Sequence, residues 1–258
     1  AALVRGLFLP DDGEVWEQLD ESQIEYRLLA HYARGPGGEE ARRRYSKDST
    51  TDFHTLCGDM LGLNAKDGAG RKRVKGINFC KVYGGGTHKL METIGCGYDE
   101  AERFAEGYDE KLPFVAETFN AAAAQAQTLG YVRTVLGRRG RFPLWEPLEG
   151  HQPPLPREAA LAKWGPRIKR AFTYKALNKV MQGSAADHQK KAMVDIWRSG
   201  VCATLGPPLL TVHDELDFSR PQTPEGEAAL LEAGRLMEVA VPLRVPVVVD
   251  RKSGPSWG

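Results

Sequence analysis

The sequence predicts an α+β fold: an antiparallel sheet assembled from both ends of the chain, with a helical subdomain inserted between its pieces. Three observations carry the prediction. Apolar segments of strand length, bounded by turn residues, occur before residue 21 and again after residue 208, whereas helical periodicity dominates from Glu39 to about Gly130. Sheet segments at opposite ends of a chain, with helices between them, close into one layer only by pairing across the whole sequence. Two short acidic strings, Leu19-Asp20-Glu21 and Val212-His213-Asp214-Glu215, also sit where such segments turn, which makes them halves of one candidate metal site.

Leu3 to Leu9 reads as a strand closed by the turn-rich Pro10-Asp11-Asp12-Gly13, and Glu14 to Asp20 returns as the second arm of a hairpin. Ser22 can cap the next helix, in which Ile24, Leu28, Leu29 and Tyr32 recur about once per turn until Gly35-Pro36-Gly37-Gly38 ends it. Asp20 then stands at a strand-to-helix junction, with Glu25 in the following turns facing the same space. The helical stretch from Glu39 is broken near Asn64 to Gly70, at Gly84-Gly85-Gly86 and at Gly95-Cys96-Gly97. Gly130 to Pro143 alternates as strands around Gly137-Arg138-Arg139-Gly140, and the proline-rich run Glu146 to Pro156 reads as a surface loop. A long helix is expected from Gly165 or Pro166 to about Ser199, with Asn178 and Gln182 on one face. Leu209 to Val212 and Leu216 to Ser219 form a tight hairpin around His213-Asp214-Glu215. Glu225 to Val239 is a last helix and Val245 to Val249 a last strand.

A chain of 258 residues that is 41% hydrophobic buries a substantial core. Its 35 Lys and Arg against 34 Asp and Glu leave a net charge of +1, so a surface for nucleic acid has to come from segregated charge and not from bulk excess. Arg42-Arg43-Arg44, Arg71-Lys72-Arg73, Arg138-Arg139 with Arg141, and the span from Lys163 to Lys175 provide such runs, each of which is otherwise a solvated face. Cys57, Cys80, Cys96 and Cys202 have neither CxxC pairing nor a histidine at zinc spacing, which excludes a zinc site of that type and points to reduced thiols. No stretch approaches the roughly 18 apolar residues of a membrane span, and the start lacks a signal-peptide pattern. No membrane association and a cytoplasmic location are therefore expected. The opening Ala1-Ala2 fits initiator-methionine removal or excision from a longer product.

Arg71, Lys75, Phe79 and Tyr83 descend a helix at intervals of four, a charged-then-aromatic stripe unlike a core stripe. Its cations suit phosphates, Arg by its fork and Lys as a point charge, and its rings suit a sugar and base. Carboxylates for a divalent metal together with a cationic helix indicate nucleotidyl transfer. In this order the three strings resemble motifs A, B and C of family A DNA polymerases, the bacterial DNA polymerase I type. A D-x-S-Q-I-E-x-R string is matched at Asp20, Ser22, Gln23, Ile24, Glu25 and Arg27. R-x-x-x-K-x-x-N-F-x-x-x-Y-G is matched at Arg71, Lys75, Asn78, Phe79, Tyr83 and Gly84, and V-H-D-E at Val212 to Glu215. Similarity runs from about Val4 to the end, where Ser253-Gly254-Pro255-Ser256-Trp257 is like the family's tail.

The resemblance implies that the sheet is the family's palm, in residues 1–34 and 131–258, and that residues 35–130 are its fingers. It implies template-directed addition of deoxynucleotides, supplied as deoxynucleoside triphosphates, to a DNA primer 3′-end with two magnesium ions. Asp20 and Asp214 are the implied metal ligands, suited to an ion that takes hard oxygens and keeps water and substrate phosphates in its shell. Glu215 is counted with the catalytic residues in a supporting role only, since a strand neighbour of Asp214 points to the opposite face unless the turn redirects it. Arg71 and Lys75 hold the triphosphate in this reading, and Lys75 also counts among the catalytic residues. Phe79, Tyr83 and Gln23 join the substrate-binding set, and His54 matches a histidine placed near the β-phosphate. Glu25 is implied to close against Tyr83 and exclude a ribose 2′-hydroxyl. Gln182 and Asn178 match residues that touch the minor groove of primer-template DNA near the new pair. His213 either packs beneath its hairpin or contacts the primer end, and Lys72, Arg73 and Lys81 touch either template phosphate or only water.

Two departures stand out. The family often has Arg eight residues before Gln182, where this chain has Tyr174, with Lys175 adjacent as a DNA-binding candidate. The chain also begins just upstream of the first motif, without the thumb, the earlier palm segment or a proofreading domain. It is therefore expected to be the C-terminal part of a longer or split polymerase, completed by a second polypeptide or N-terminal region carrying the thumb, in a bacterial or phage-infected cell. The alternative is a catalytically weak fragment that holds primer-template or a partner, against which intact Asp20, Lys75 and Asp214 argue. A single-subunit RNA polymerase shares the palm, and Glu25 disfavours it.

Overall fold

The computed structural model describes residues 2–258; Ala1, on which the reading of the chain's opening bears, lies outside the described residues. In chain order the elements are α1 (Ala2–Arg5), β1 (Glu14–Glu21), α2 (Ile24–Tyr32), α3 (Gly35–Lys47), α4 (Phe53–Leu61), α5 (Gly68–Val82), α6 (Thr87–Ile94), α7 (Tyr98–Lys111), α8 (Pro113–Leu129), β2 (Tyr131–Arg133), β3 (Arg139–Arg141), β4 (Leu144–Pro147), β5 (Leu155–Pro156), α9 (Arg157–Trp164), β6 (Ile168–Arg170), a 3-10 turn (Thr173–Lys175), α10 (Ala176–Ser199), α11 (Cys202–Leu205), β7 (Leu210–Val212), β8 (Glu215–Pro221), α12 (Pro224–Val239) and β9 (Val249–Gly254). The mixture of helices and antiparallel sheet is the α+β class read from the sequence. Contacts divide the chain into two compact units, residues 1–31 with 45–50 and 184–258, and residues 32–44 with 51–183.

The first unit is built on a four-stranded antiparallel sheet in the order β7-β8-β1-β9. β1 is paired along both edges, with β8 on one side and β9 on the other. That leaves no free edge for Leu3 to Leu9, so the expected hairpin does not form: Ala2–Arg5 is a short helix. This opening segment packs on the C-terminal tail instead, where Trp257 donates its backbone N–H to the Phe8 carbonyl at 3.1 Å and Arg5 lies 4.6 Å from the Trp257 ring centroid.

Alternation along β1 gives the sheet two different faces. Leu19 enters a core with Leu216 and Phe218 of β8 and with Ala192, Ile196, Leu205, Leu230 and Met237 from α10, α11 and α12. Glu17 shares that helix-facing side and is fully buried. It accepts hydrogen bonds from Arg220 Nε on β8 at 2.7 Å, and from Arg251 Nε at 2.9 Å and Ser253 Oγ at 2.6 Å on β9. Burial alone raises this carboxyl, but the bonds from Arg251, Ser253 and Arg220 hold it below its ordinary pKa. One side chain thus ties the central strand to both neighbours.

Arg27 makes a second tie. Fully buried on α2, it donates to the carbonyls of Ser22 (2.7 Å), Pro246 (2.7 Å) and Ser49 (2.9 Å) and lies over the Tyr45 ring. The strand expected at Val245 to Val249 lies later, at Val249–Gly254, for a related reason. The Pro246 carbonyl is taken by Arg27 and the Val248 carbonyl by the Ser22 N–H, so neither joins a ladder, and Pro246 has no N–H to offer one.

The second unit carries α4 to α9, the β2-β3 hairpin and the three-stranded sheet β5-β4-β6. Helix breaks fall near the expected places, with α4, α6 and α8 ending on left-handed Gly62, Gly95 and Gly130. The helix α2 ends at Tyr32, before Gly35-Pro36-Gly37-Gly38 as expected, and that run itself opens α3, since a first turn does not need the N–H that proline lacks. The proline-rich run is only partly a loop, since Leu144–Pro147 and Leu155–Pro156 pair as strands. The long helix begins at Ala176 and not near Pro166, because Ile168–Arg170 is drawn into pairing with β4. No helix among the described residues is long and apolar enough to cross a membrane, and all four cysteines are free, Cys57 and Cys80 buried.

Glu17→Ala removes the shared acceptor and leaves two guanidiniums facing a buried void. It is expected to cost about 3 kcal/mol and to lower the melting temperature by several degrees. Glu40→Ala, which breaks an exposed pair with Arg43 and Arg44, leaves it unchanged. Equal melting of the two variants in differential scanning calorimetry would show that Glu17 does not hold the sheet.

Candidate active-site residues

Register builds the acidic site in the first unit. Glu215 of β8 and Asp250 of β9 both stand directly opposite Asp20, and Asp217 and Lys252 stand opposite Gln18. Residues paired across antiparallel strands share a face, so the side of the sheet opposite α10, α11 and α12 carries Asp20, Glu215, Asp217 and Asp250 together. The concern that Glu215 points away is thereby answered: β8 begins at Glu215, and pairing sets it on the face of Asp20. Asp214 comes from the two-residue turn before β8, where its carbonyl accepts the Glu21 N–H at 3.1 Å. Its neighbour His213 adopts φ 58° and is exposed, so it does not pack beneath the hairpin.

The electrostatics follow from crowding. Burial first, then the charges of Asp214, Glu215 and Asp250, with Lys252 opposing, push Asp20 up to about 6. Burial likewise raises Asp214. Asp217 is buried, accepts the Trp16 indole N–H at 3.2 Å, and is pushed up to about 7 by burial and by the charge of Glu215. Among the described residues its second oxygen has no hydrogen-bond partner. Glu215 is oriented by the Trp257 indole N–H at 2.8 Å. Carboxylates that raise one another's pKa form a site that a cation relieves. Among the described residues no group of three or more His, Cys, Asp or Glu is arranged as a metal cage. A hard cation that keeps waters and takes substrate oxygens needs fewer protein ligands, and Asp20 with Asp214 fits that chemistry.

Gln23 adopts φ 52° at the junction between β1 and α2, and Glu25 follows half-exposed in the first turn of α2. Beneath Asp20, on the helix side, Glu21 Oε1 meets His188 Nδ1 of α10 at 2.7 Å, both side chains fully buried. Burial raises the Glu21 carboxyl while His188 opposes the shift. Sequence reasoning missed this pair, Asp217 and Asp250. Asp250 had a signal, an apolar run ending in a carboxylate at Val247-Val248-Val249-Asp250; Glu21 and His188, 167 positions apart, had none.

In the second unit, α5 separates its residues by face. Val74, Ile77, Asn78, Cys80 and Val82 are buried, whereas Lys75 and Phe79 are exposed and Arg71 and Tyr83 half-exposed. The expected stripe therefore runs along the outer face. Phe79 and Tyr83 stack with centroids 6.1 Å apart and planes at 22°. Arg71 grips Asp52 with two hydrogen bonds, 2.6 and 3.2 Å, while Asp52 caps α4 by accepting the Thr55 N–H at 2.7 Å. Against the raising effect of burial, those bonds hold Asp52 at about 2. The off-stripe cations Arg73 and Lys81 pair with Glu100 and Asp109 of α7, and Lys72 is exposed.

His54 is buried, its Nδ1 2.9 Å from the Asn78 amide nitrogen. Burial, aided by Lys75 and Arg71 and opposed by Asp52, lowers it to about 4, so the imidazole is neutral near pH 7. With Nδ1 accepting from Asn78, Nε2 carries the proton and is the donor the ring can offer. Gly84 ends the helix at φ 74°, where a Cβ would lie 2.3 Å from the Phe119 ring, so only glycine fits. On α10 and the turn before it, Lys175 and Gln182 are exposed and Asn178 half-exposed, Asn178 and Gln182 one turn apart.

Comparison with known proteins agrees with these strings. The family model described as DNA polymerase family A matches residues 1–258. A DNA-directed DNA polymerase of Pseudomonas phage M6 is 30% identical over 303 aligned residues, covering 100% of this chain and 40% of the phage protein. The thermostable DNA polymerase I of Thermus aquaticus is 33% identical over 258 residues, covering 98% of this chain and 28% of its own length. Among solved structures, the POL domain of Pol1 from M. smegmatis, in complex with DNA primer-template and dNTP, superposes with a TM-score of 0.78 at 30% identity, covering 98% of this chain and 42% of that one. The chain thus spans well under half the length of these relatives.

The raised pKa of Asp20 has a sign that can be measured. A carboxyl that binds its proton more tightly folded than unfolded costs stability while ionised, and the cost is lifted as pH falls through about 6 towards 4. Asp20→Asn is therefore expected to raise stability at pH 8 by about 1 kcal/mol, allowing for solvent screening, and to change it little at pH 4. Thermal melting across that range without divalent metal checks it; a shift independent of pH would contradict the assignment.

Proposed function

The chain belongs to DNA polymerase family A, and from that premise we propose that it catalyses template-directed addition of deoxynucleotides to a DNA primer 3′-end. The observation that carries the proposal is the face on which Asp20, Glu215 and Asp250 stand in register, with Asp214 beside them and Asp20 raised to about 6. Asp20 and Asp214 hold divalent magnesium in this reading, and Glu215, fixed by Trp257, supports them. Bound magnesium supplies Lewis-acid chemistry, favouring an ionised attacking hydroxyl and neutralising phosphate charge.

The remaining roles belong to the chain's own side chains. Lys75 presents an exposed ammonium and Arg71 a guanidinium to the triphosphate, and neutral His54 offers Nε2–H as a hydrogen-bond donor. Phe79 and Tyr83 pack on sugar and base, with Gln23 and Glu25 bordering the nucleotide and Glu25 excluding a ribose 2′-hydroxyl. Gln182, Asn178 and Lys175 contact primer-template DNA, the first two at minor-groove acceptors that every base pair shares, and exposed His213 meets the primer end. Domain roles follow, with the sheet as palm and the helices around α5 as fingers. DNA and deoxynucleoside triphosphates as substrates imply an intracellular setting.

Single-nucleotide primer extension with magnesium tests the reading, with the chain assayed alone and with any polypeptide that copurifies. Asp214→Ala is expected to lower the rate on the order of a thousandfold, the scale of removing a metal's charge stabilisation. Full activity in that variant would refute the assignment, and DNA binding without extension under every condition would favour a binding fragment. Phe79 lacks a ring hydroxyl, so the chain is expected to discriminate against dideoxynucleotides and Phe79→Tyr to relax this; equal use of both substrates by the parent would remove the role. Glu25→Ala is expected to admit ribonucleotides or lower activity, and no change in either would remove the gate.

A further inference from the structure

Between β6 and α10 the chain turns so as to display two aromatic rings. The turn is pinned at both ends: Ala171 is buried and donates its N–H to the Leu144 carbonyl at 2.9 Å, and Ala176 and Leu177 are buried at the start of α10. Between them Phe172 is 38% and Tyr174 54% exposed, with ring centroids 6.4 Å apart and planes at 67°. Phe172 has φ 61°, a left-handed conformation that a bulky L-residue keeps only where its surroundings impose it. The Lys175 ammonium lies 5.1 Å from the Phe172 centroid and 5.6 Å from that of Tyr174. Neither ring is among the buried core residues, although the turn that carries them is fixed on either side.

The charge of the chain segment that holds the turn says what would cover them. Residues 131–179 carry eleven Lys and Arg against three Glu, in a chain whose net charge is +1. Arg133, Arg138, Arg139, Arg141, Lys175 and Lys179 are exposed. Such a field selects a polyanion, and exposed flat rings select one that carries flat groups of its own. We propose that Phe172 and Tyr174, with Lys175, form a stacking platform for unpaired bases of single-stranded DNA. The proposal rests on the polymerase reading for its ligand's source, the unpaired template, and deepens that reading. Tyr174, at the position where the resemblance leads one to expect Arg, presents a ring in place of a guanidinium.

The test compares two oligomers of equal charge, oligothymidylate of about twelve nucleotides and its abasic counterpart, by fluorescence anisotropy at fixed salt. The parent is expected to bind the thymidylate about tenfold more tightly than the abasic strand. A Phe172→Gly, Tyr174→Ser double variant is expected to lose that preference and keep the abasic affinity, since its phosphate contacts remain. Phe172→Gly alone removes one ring and also relieves the left-handed backbone, so it is expected to weaken thymidylate binding with no fall in melting temperature. Equal binding of the two strands by the parent overturns the proposal, as does a preference that survives in the folded double variant. Primer extension on the same preparations separates the two readings. Base preference without extension keeps the platform and removes polymerisation, whereas extension without base preference removes the platform alone.

Discussion

The register of β1 is the constraint on which the first unit depends. Side chains alternate along a strand, so a slip of one residue exchanges its faces. In β1 that slip would carry Asp20 into the helix-facing core and bring Leu19 out. Hydrophobic matching of Leu19 with Leu216 resists it, but so does Glu17, whose carboxylate is bonded to side chains of both flanking strands at once. A buried carboxylate shared between two guanidiniums adds little net stability against an apolar core, whereas breaking the arrangement is costly, so its effect is to penalise alternatives. The acidic face is the output of that penalty: three strands, drawn from both ends of the chain, each deliver a carboxylate to one row.

The second unit solves a different problem, keeping a cationic stripe solvent-facing while the same helix is packed on its other side. Buried Val74, Ile77 and Val82 anchor α5, and carboxylates of α7 neutralise the cations that flank the stripe, so that Lys75 stays exposed. Desolvation decides the state of His54. Asp52 close by would favour a charged ring, yet burial with two neighbouring cations outweighs it and leaves the imidazole neutral.

Much of this was legible in the sequence where local pattern and function coincide. The strand, turn and helix around Asp20, the Asp214 hairpin and the stripe on α5 are each written within a dozen residues, and each stands where the periodicity put it. What escaped depended on partners far away. Leu3 to Leu9 has a strand's composition, but both edges of the strand it would join are occupied by residues more than 190 positions distant. α10 starts later than its pattern suggests because helical patterning does not reveal that Ile168–Arg170 pairs with β4. In the sequence Arg27 is only part of a motif, whereas its three carbonyl partners make it a structural tie. The pair of Glu21 and His188 is invisible to any local reading.

The contact between Arg71 and Asp52 has one more consequence. An anion that binds Arg71 does not meet a free guanidinium; it has to displace a carboxylate tethered close by, which acts as an internal competitor at an effective concentration on the order of millimolar or above. A singly charged anion at ordinary cellular levels gains little from that exchange, while a ligand that offers several charges at once gains from Lys75 as well. Asp52, released, still caps α4 through the Thr55 N–H, so the helix is not lost when the guanidinium changes partner. For any anion brought to Arg71, the resting ion pair would act as a charge threshold, raising the affinity needed to displace Asp52.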